Sequence, residues 1–510
     1  MSDFSRTRNS IRNIIWGVVF RGSSVLLPFV NRTVIINTLG MEYIGISSLF
    51  SSILSVLSLA ELGVGSAILF SMYKPVAEHD YETANALLFY YRKVYRWIGT
   101  IILVAGILIC FKLDWFISGE LPEDINVEFL FLMYLANTVV SYFFFAYLTV
   151  VLVANQREDI SYRINIVISV LCALTQLLVL IIFKNYYIYV LLMLLSSVFY
   201  NILCYKAVKK SYPKYYAAGE LGISSKKNLR KQIVGLVIGK ISIISRNSLD
   251  GVIISASLGL IPAAIYGNYY TIMNALFSLV FLLCSGIRAS VGNKIATRGV
   301  NDNYKDMMML SYGFYCVYSM CTVCLFCLYQ SFMELWVGTQ YVASLSLAML
   351  MSLYFFLFCS VGIISQYWEA SGLFWENKNR FIVEAIFNLV MSLIFVRFWG
   401  INGVILATVV SMGLITGVVG PIIAFKYYFK SCSILNYFFI QFRYFIMTII
   451  LCVICYFLTY NLGFEGILGL VARCLICMII SVGANVLFFW NLDSSKLFRG
   501  YLHKIIGTYV

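Results

Sequence analysis

Long apolar stretches alternate with short polar ones along the whole chain. They lie near 14–36, 41–70, 94–111, 129–153, 164–183, 188–205, 233–257, 263–287, 308–330, 343–368, 381–396, 403–425, 444–459 and 466–490. Most approach the ~20 residues that a helix rising about 1.5 Å per residue needs to cross ~30 Å of hydrocarbon. The pattern therefore predicts an all-α membrane protein with about 14 transmembrane helices. The longest polar connection is near 206–232, so no soluble domain is inserted between spans. Function must reside in the helical bundle itself.

Positive charge then orients these spans. If the N-terminus is cytoplasmic, the inner segments hold 29 of the 37 Lys and Arg residues, and the outer segments hold only Lys112, Lys184 and Arg397. Such asymmetry sets topology in membrane proteins. An even number of spans places both termini inside. The first span follows Arg6, Arg8 and Arg12, contains Arg21 and Arg32, and has no small-residue cleavage site, so it reads as a retained helix and not a signal peptide.

Composition excludes several classes. At 61% apolar and 12% charged, the chain cannot be an ordinary soluble globule. The net charge of +14 is accounted for by topology and by anionic lipid at the inner surface, which removes nucleic acid as a partner. Of the fourteen cysteines, all but Cys432 lie in or at the ends of apolar spans. Cys321, Cys324 and Cys327 have a spacing that suggests metal, but no His or carboxylate converges nearby; they read as small apolar residues on one helical face, with no metal and no cofactor.

An internal repeat organises the chain. Leu39-Gly40 matches Leu258-Gly259 at an offset of 219, which also sets Arg21 against Lys240 and Asn31 against Asp250. Asn165-Ile-Val-Ile-Ser169 matches Asn388-Leu-Val-Met-Ser392 at an offset of 223, placing Arg157 over Arg380. Two six-helix repeats, related by a pseudo-two-fold axis along the membrane normal, are predicted with two extra C-terminal helices. The expected divisions are a six-helix bundle over 1–210, a cytoplasmic linker over 211–232, a second six-helix bundle over 233–430, and two further helices with a tail over 431–510. A parallel repeat of this kind is a transporter architecture with substrate bound near the midplane.

The charges inside spans are the candidate chemistry. Arg21, Arg32, Lys240, Arg246 and Arg473 fall where a central charge costs at least ~2.5–3.5 kcal/mol, so they should face protein or a wet cavity. Arg21 and Arg32 are nearly three turns apart and share a helical face with Pro28. The repeat brings Arg21 and Lys240 to equivalent positions, and Arg21, Arg32, Lys240 and Arg246 become candidate ligands for an anionic substrate. A structural account competes with this: Arg246 and Asp250 are spaced as a helix ion pair, and Arg21 has the length to snorkel to the inner surface. Glu61 and Asp250, the main acids deep in spans, are candidates either for a coupling H⁺ or Na⁺ or for pairing with the arginines. Gly235 with Gly239, and Gly413 with Gly417 ahead of Pro421, mark close helix packing. The only histidines, His79 and His503, lie in inner segments, and neither a phosphate-cradling loop nor a Ser-His-Asp set is present. No catalytic residue is assigned, and the chain is not expected to be an enzyme.

Several runs carry a resemblance to a known family. They are Leu59-Ala-Glu-Leu-Gly-Val-Gly-Ser-Ala-Ile68, Tyr73-Lys-Pro75, Tyr91-Arg-Lys-Val-Tyr95, Asp250-Gly-Val-Ile-Ile-Ser255, Ala289-Ser-Val-Gly-Asn293, Leu335-Trp-Val-Gly338 and Gly372-Leu-Phe-Trp375. Together they resemble the polysaccharide transporter family of the multidrug/oligosaccharidyl-lipid/polysaccharide exporter superfamily. Arg288 departs from that pattern, standing where a small or polar residue is expected; it is either a substrate contact or an inner-surface anchor. The resemblance implies a flippase in the bacterial plasma membrane that carries undecaprenyl-pyrophosphate-linked oligosaccharide repeat units from the inner to the outer leaflet for capsule, exopolysaccharide or O-antigen assembly. It also implies membrane lipids, a polymerase and export machinery as partners. The cations are compatible with a pyrophosphate, which they would meet by charge-assisted hydrogen bonds. An ion-coupled drug exporter of the same superfamily would share the helices but should have an acidic cavity. A membrane polysaccharide polymerase should show His or clustered acids in an outer loop.

Overall fold

The computed structural model describes residues 3–61, 63–118, 121–223, 226, 229, 233, 248–460 and 466–509. Among these residues every regular element is helical. Backbone contacts divide the chain into two units, Met1–Ala264 and Ile265–Val510.

The first unit contains α1 (Asp3–Thr38), α2 (Met41–Leu57), α3 (Val64–Ala77), α4 (Tyr81–Cys110), α5 (Val127–Phe143), α6 (Thr149–Ala154), α7 (Glu158–Ile182), α8 (Tyr186–Ser211) and α9 (Ser248–Leu258). The starts of α4, α5 and α8 are written into the sequence. Asp80 Oδ1, Asn126 Oδ1 and Asn185 Oδ1 accept from the N–H groups of Thr83, Phe129 and Ile188 at 3.0, 2.7 and 3.1 Å. Each satisfies a donor that the first turn of a helix leaves open. The Thr83 side chain and N–H also hold the Asp80 carboxyl below the usual carboxylate range. Helix α1 packs along α7, α4 packs along α5, and α8 lies against both α5 and α7.

The stretch 41–70 is not one rod. After Leu57 it tightens into a 3₁₀ turn over Ser58–Glu61 and resumes as α3 at Val64. The stretch 129–153 is likewise divided, with α5 and the tract Ala146–Ala154 meeting at a 47° bend. At that bend Phe145 takes φ 48.

In the second unit, α10 (Leu260–Thr297), whose first turn belongs to the first unit, is followed by α11 (Val300–Val337), α12 (Leu345–Ser360), α13 (Gly362–Ala370), α14 (Phe374–Ser411), α15 (Gly420–Tyr427), α16 (Ile434–Tyr460), α17 (Gly466–Phe488) and α18 (Asp493–Tyr509). The long α11 is the hub, contacting α12, α16, α17 and α18. Its core is aromatic: Tyr315 stacks on Tyr444 at 4.0 Å between centroids, with Phe489 edge-on to both. Within α14, Gly400 takes φ 56 and ψ −133, which separates the stretches 381–396 and 403–425. A π-helical segment over Met412–Val419 then includes Gly413 and Gly417.

Nine helices of the described residues are long and apolar enough to cross a membrane, or ten if the bent pair is one span. The chain is thus a multi-pass membrane protein, as expected. The count of fourteen is not confirmed among these residues, for physical reasons. The stretch 41–70 is divided into pieces shorter than a span, 381–396 and 403–425 follow one another across the kink at Gly400 with no loop between them, and most of 233–257 lies outside the description.

Gly45 marks the closest approach within the first unit. A Cβ there would stand 2.3 Å from the Leu260 carbonyl oxygen, which is backbone and cannot rotate away. Gly45→Ala should therefore destabilise the protein by about 1–3 kcal/mol through overpacking, read as a lowered melting temperature in detergent. An unchanged melting temperature would contradict that contact.

Candidate functional site

The first unit gathers its polar residues on α2. Ser48, Ser52 and Ser55 follow at four- and three-residue spacing and so share one face of that helix. At the upper end of the row, the Arg32 guanidinium of α1 donates from Nη2 to Ser48 Oγ at 3.2 Å. At the other end, Ser248 Oγ of α9 donates to Ser55 Oγ at 2.9 Å, and Gly251 lies so close to Ser52 that a Cβ would meet its hydroxyl at 2.6 Å. Asp250, between those two α9 residues, is completely buried. The serine row thus links the surroundings of Arg32 to those of Asp250 over about 10 Å of helix.

Arg32 sits among phenols. Tyr134, Tyr186 and Tyr189 are its electrostatic neighbours. The Tyr134 and Tyr186 hydroxyls lie 2.8 Å apart, and the rings of Tyr186 and Tyr189 stack at 5.4 Å. Next to it, Asn31 Nδ2 donates to Gln176 Oε1 at 2.9 Å, and Gln176 Nε2 donates to the Tyr189 carbonyl at 3.0 Å. Residues from α1, α2, α5, α7 and α8 therefore build one polar chamber around a cation. Arg21, on the same helix, is exposed.

Glu61 closes the 3₁₀ turn where the second apolar stretch breaks. The Tyr95 hydroxyl donates to its Oε1 at 2.8 Å, Tyr142 donates to Oε2 in a short contact, and Tyr91 donates to Tyr95 at 2.8 Å. Both carboxylate oxygens are met by O–H donors, the arrangement a half-buried carboxylate needs away from water. Broken helices with charged groups at the break are where transporters bind ions and substrates.

At the start of α7, Asp159 is completely buried and gathers three arginines. Arg12 Nε and Arg157 Nε lie 3.0 and 2.9 Å from its oxygens, and Arg163 contacts it one turn along the helix. Asn13 adds a reciprocal pair of bonds: its Oδ1 accepts from the Asp159 N–H at 2.9 Å, and its Nδ2 donates to the Gln156 carbonyl at 3.1 Å. These contacts tie the N-terminal part of α1 to α7.

The second unit has its own buried charges. Arg380 and Glu384, one helical turn apart on α14, are 6% and 2% exposed. Arg380 Nε donates to Asn377 Oδ1 at 2.9 Å, and its Nη1 donates to Thr416 Oγ1 at 3.2 Å within the π-helical segment. Segments of this geometry recur at functional sites. Asn388, from the repeated motif, donates to Thr408 Oγ1 at 3.0 Å. Arg288 Nε donates to Gln366 Oε1 at 2.9 Å, and its Nη2 lies 3.3 Å from Glu369 Oε2, so α13 braces its side chain. Arg473 donates to Ser331 Oγ at 2.7 Å.

Of the expected site residues, Arg32, Glu61 and Asp250 occur in the first unit along or beside α2. Lys240 and Arg246 lie outside the described residues. Sequence reasoning gave no site role to Asp159 or Glu384, named Arg380 only through the repeat, and named Tyr91 and Tyr95 only within a resemblance run. For Tyr91 and Tyr95 a signal existed, since their four-residue spacing puts both on one helical face; Tyr142 comes from a distant segment and gave none.

Comparison with solved structures completes the description. A lipid II flippase in an inward closed conformation superposes with a TM-score of 0.65 at 16% identity, over 94% of this chain and 99% of that one. The chain shares the fold of that flippase. An inward-facing multidrug-resistance MATE transporter of the MOP superfamily matches with a TM-score of 0.60 at 13% identity, over 78% of this chain and 92% of that one. A MATE transporter of Vibrio cholerae matches with a TM-score of 0.54 at 14% identity, over 83% and 98%. No family model and no curated protein matches the sequence. The fold agrees with the superfamily suggested by the sequence runs, and at these identities it is the fold alone that is shared.

Removing the buried carboxylate that three arginines share leaves three partly exposed cations crowded together without their counter-ion. Asp159→Asn should destabilise the protein by about 1–3 kcal/mol, the scale of lost hydrogen bonds to a charged group, whereas Arg12→Gln, which leaves two partners in place, should cost less. Melting curves of the two variants in detergent measure the difference; equal melting temperatures would contradict the shared-ion account.

Proposed function

We propose that this protein is a flippase for undecaprenyl-pyrophosphate-linked oligosaccharide repeat units, working by alternating access in the plasma membrane with both termini cytoplasmic. The observation that carries the reading is the extent of the flippase match, which takes in 94% of this chain and 99% of the lipid II flippase, against 78% and 83% of this chain for the two MATE transporters. Lipid II is what that relative's name says it moves; a lipid-linked saccharide is the corresponding class here. The chemistry of the first unit supports it. Arg32 stands in a chamber of phenols, serine and amides that suits sugar hydroxyls as well as phosphate oxygens. Arg21, Lys240 and Arg246 would add charge to meet the pyrophosphate, Arg by a forked pair of hydrogen bonds and Lys as a point charge.

A second reading, an ion-coupled drug or small-molecule exporter, is favoured by one observation: Glu61 is held by phenols at a helix break, an acidic site of the kind a cationic drug or coupling ion would use. In the flippase reading Glu61 and Asp250 serve as candidates for a coupling H⁺ or Na⁺.

The two readings differ in the sign of the ligand. In nanodiscs, the protein should bind undecaprenyl-pyrophosphate oligosaccharide in preference to uncharged polyprenol. Arg32→Ala and the double variant Arg21→Ala/Lys240→Ala should each weaken that binding by about tenfold or more, the scale of a lost charge-assisted hydrogen bond. Absence of preference, or variants that bind like wild type, would favour the exporter and leave the arginines structural. In cells, Arg21→Ala and Lys240→Ala should abolish polysaccharide export while the protein remains in the membrane.

A further inference from the structure

The face of α4 turned away from Glu61 carries a second, unrelated arrangement. While Tyr91, Tyr95 and Ile98 are buried, Arg92, Lys93, Arg96 and Trp97 line an open groove of about 430 Å³ together with Phe89 and Thr100. The groove falls within the ~300–1,000 Å³ of small-ligand sites. Spacing explains the assembly: Arg92, Arg96 and Thr100 form one four-residue row, and Phe89, Lys93 and Trp97 form the next. A second lobe of about 220 Å³ shares Phe89, Lys93 and Trp97 and is closed on its far side by Glu220, Leu221 and Lys226.

That far wall is anchored. Asn85, only 6% exposed, donates from Nδ2 to the Lys214 carbonyl at 3.1 Å and accepts from the Tyr216 N–H at 2.9 Å, pinning the segment after α8 onto the first turns of α4. Lys214 lies over the Tyr81 ring at 5.0 Å, and Leu221 is buried. Lys226 has Glu220 as a partner at 3.7 Å, whereas no carboxylate of the described residues is within ion-pair reach of Arg92, Lys93 or Arg96.

Depth along the helix supplies the rest. The apolar stretch of α4 begins at residue 94, so the three cations flank its start and Trp97, 65% exposed, stands one turn inside. An exposed indole at that level is characteristic of the membrane–water boundary. Isolated snorkelling cations would make only a solvated rim. Here all three line one open groove with Phe89 and Trp97, and Lys93, Phe89 and Trp97 are shared with the walled lobe beside it; basic pockets at the inner surface hold lipid head groups in this way.

We propose that this groove binds the phosphate headgroup of an anionic phospholipid of the inner leaflet, with Arg92, Lys93 and Arg96 as phosphate ligands and Trp97 against the glycerol and upper acyl chain. The inner-leaflet assignment rests on the orientation in the proposed function; the binding chemistry does not. Native mass spectrometry of the full-length protein, released from phosphatidylcholine nanodiscs doped with phosphatidylglycerol, tests it. Wild type should retain phosphatidylglycerol over phosphatidylcholine, and Arg92→Gln/Lys93→Gln/Arg96→Gln should reduce that retention by at least about tenfold. The control Lys206→Gln/Lys209→Gln/Lys210→Gln, at the end of α8, should leave it unchanged, and added inorganic phosphate should not displace the lipid. Retention by the first triple variant equal to wild type, equal loss in the control, or preferential displacement of phosphatidylglycerol by undecaprenyl pyrophosphate would each overturn the assignment. Oligosaccharide-lipid binding by the same variants is measured in parallel; its loss with phosphatidylglycerol retention intact counts against the flippase reading and not against the groove.

Discussion

Hydrocarbon offers a polar group no partner, and that constraint governs this molecule from the backbone outward. Helices answer it for the peptide groups. Wherever the chain departs from a straight helix, or carries a charge where lipid would surround it, the protein must provide the partner itself. Glu61 shows the result: at the break between α2 and α3 its two oxygens are met by Tyr95 and Tyr142, with Tyr91 behind. Asp159, in the polar segment between two apolar stretches, is instead enclosed by the protein itself, a fully buried carboxylate with three arginines drawn around it.

Because each such charge recruits side chains from several helices, the polar sites are also the joints of the fold. The Asp159 cluster ties α1 to α7, the Arg32 chamber brings α1, α2, α5, α7 and α8 together, and the serine row of α2 receives α9. In the second unit Arg380 joins α14 to the π-helical segment that follows Ser411. The same interactions that make these groups tolerable in a membrane make them ordered, and order is what a binding site requires. Helix α4 shows how economically this works: one face offers tyrosines to Glu61, and the opposite, exposed face carries cations and a tryptophan.

The fold was legible in the sequence where the physics is local. Apolar length marked most of the helices, and the sidedness of Lys and Arg gave an expected orientation. The superfamily suggested by short runs agrees with the fold shared by a lipid II flippase and MATE transporters. The candidate site was legible only in part. Arg32, Glu61 and Asp250 stood out because a charge in an apolar stretch is visible in one dimension. Asp159 did not, because it sits beside a polar segment and looks like an ordinary helix-start acid until Arg12 arrives from the far end of the chain.

Hydropathy and charge act residue by residue, so the sequence alone determined that this is a many-helix membrane protein, where its apolar stretches lie and which spans carry charge. Neutralisation and burial act between segments. Only the tertiary structure decided that Arg32 enters a chamber of tyrosines while Arg21 stays exposed, that Arg288 is braced by Glu369, and that the second apolar stretch breaks at Glu61. Those outcomes depend on which helices come to lie side by side, and at the distances over which hydrogen bonds and ion pairs act, that information is absent from spacing along the chain.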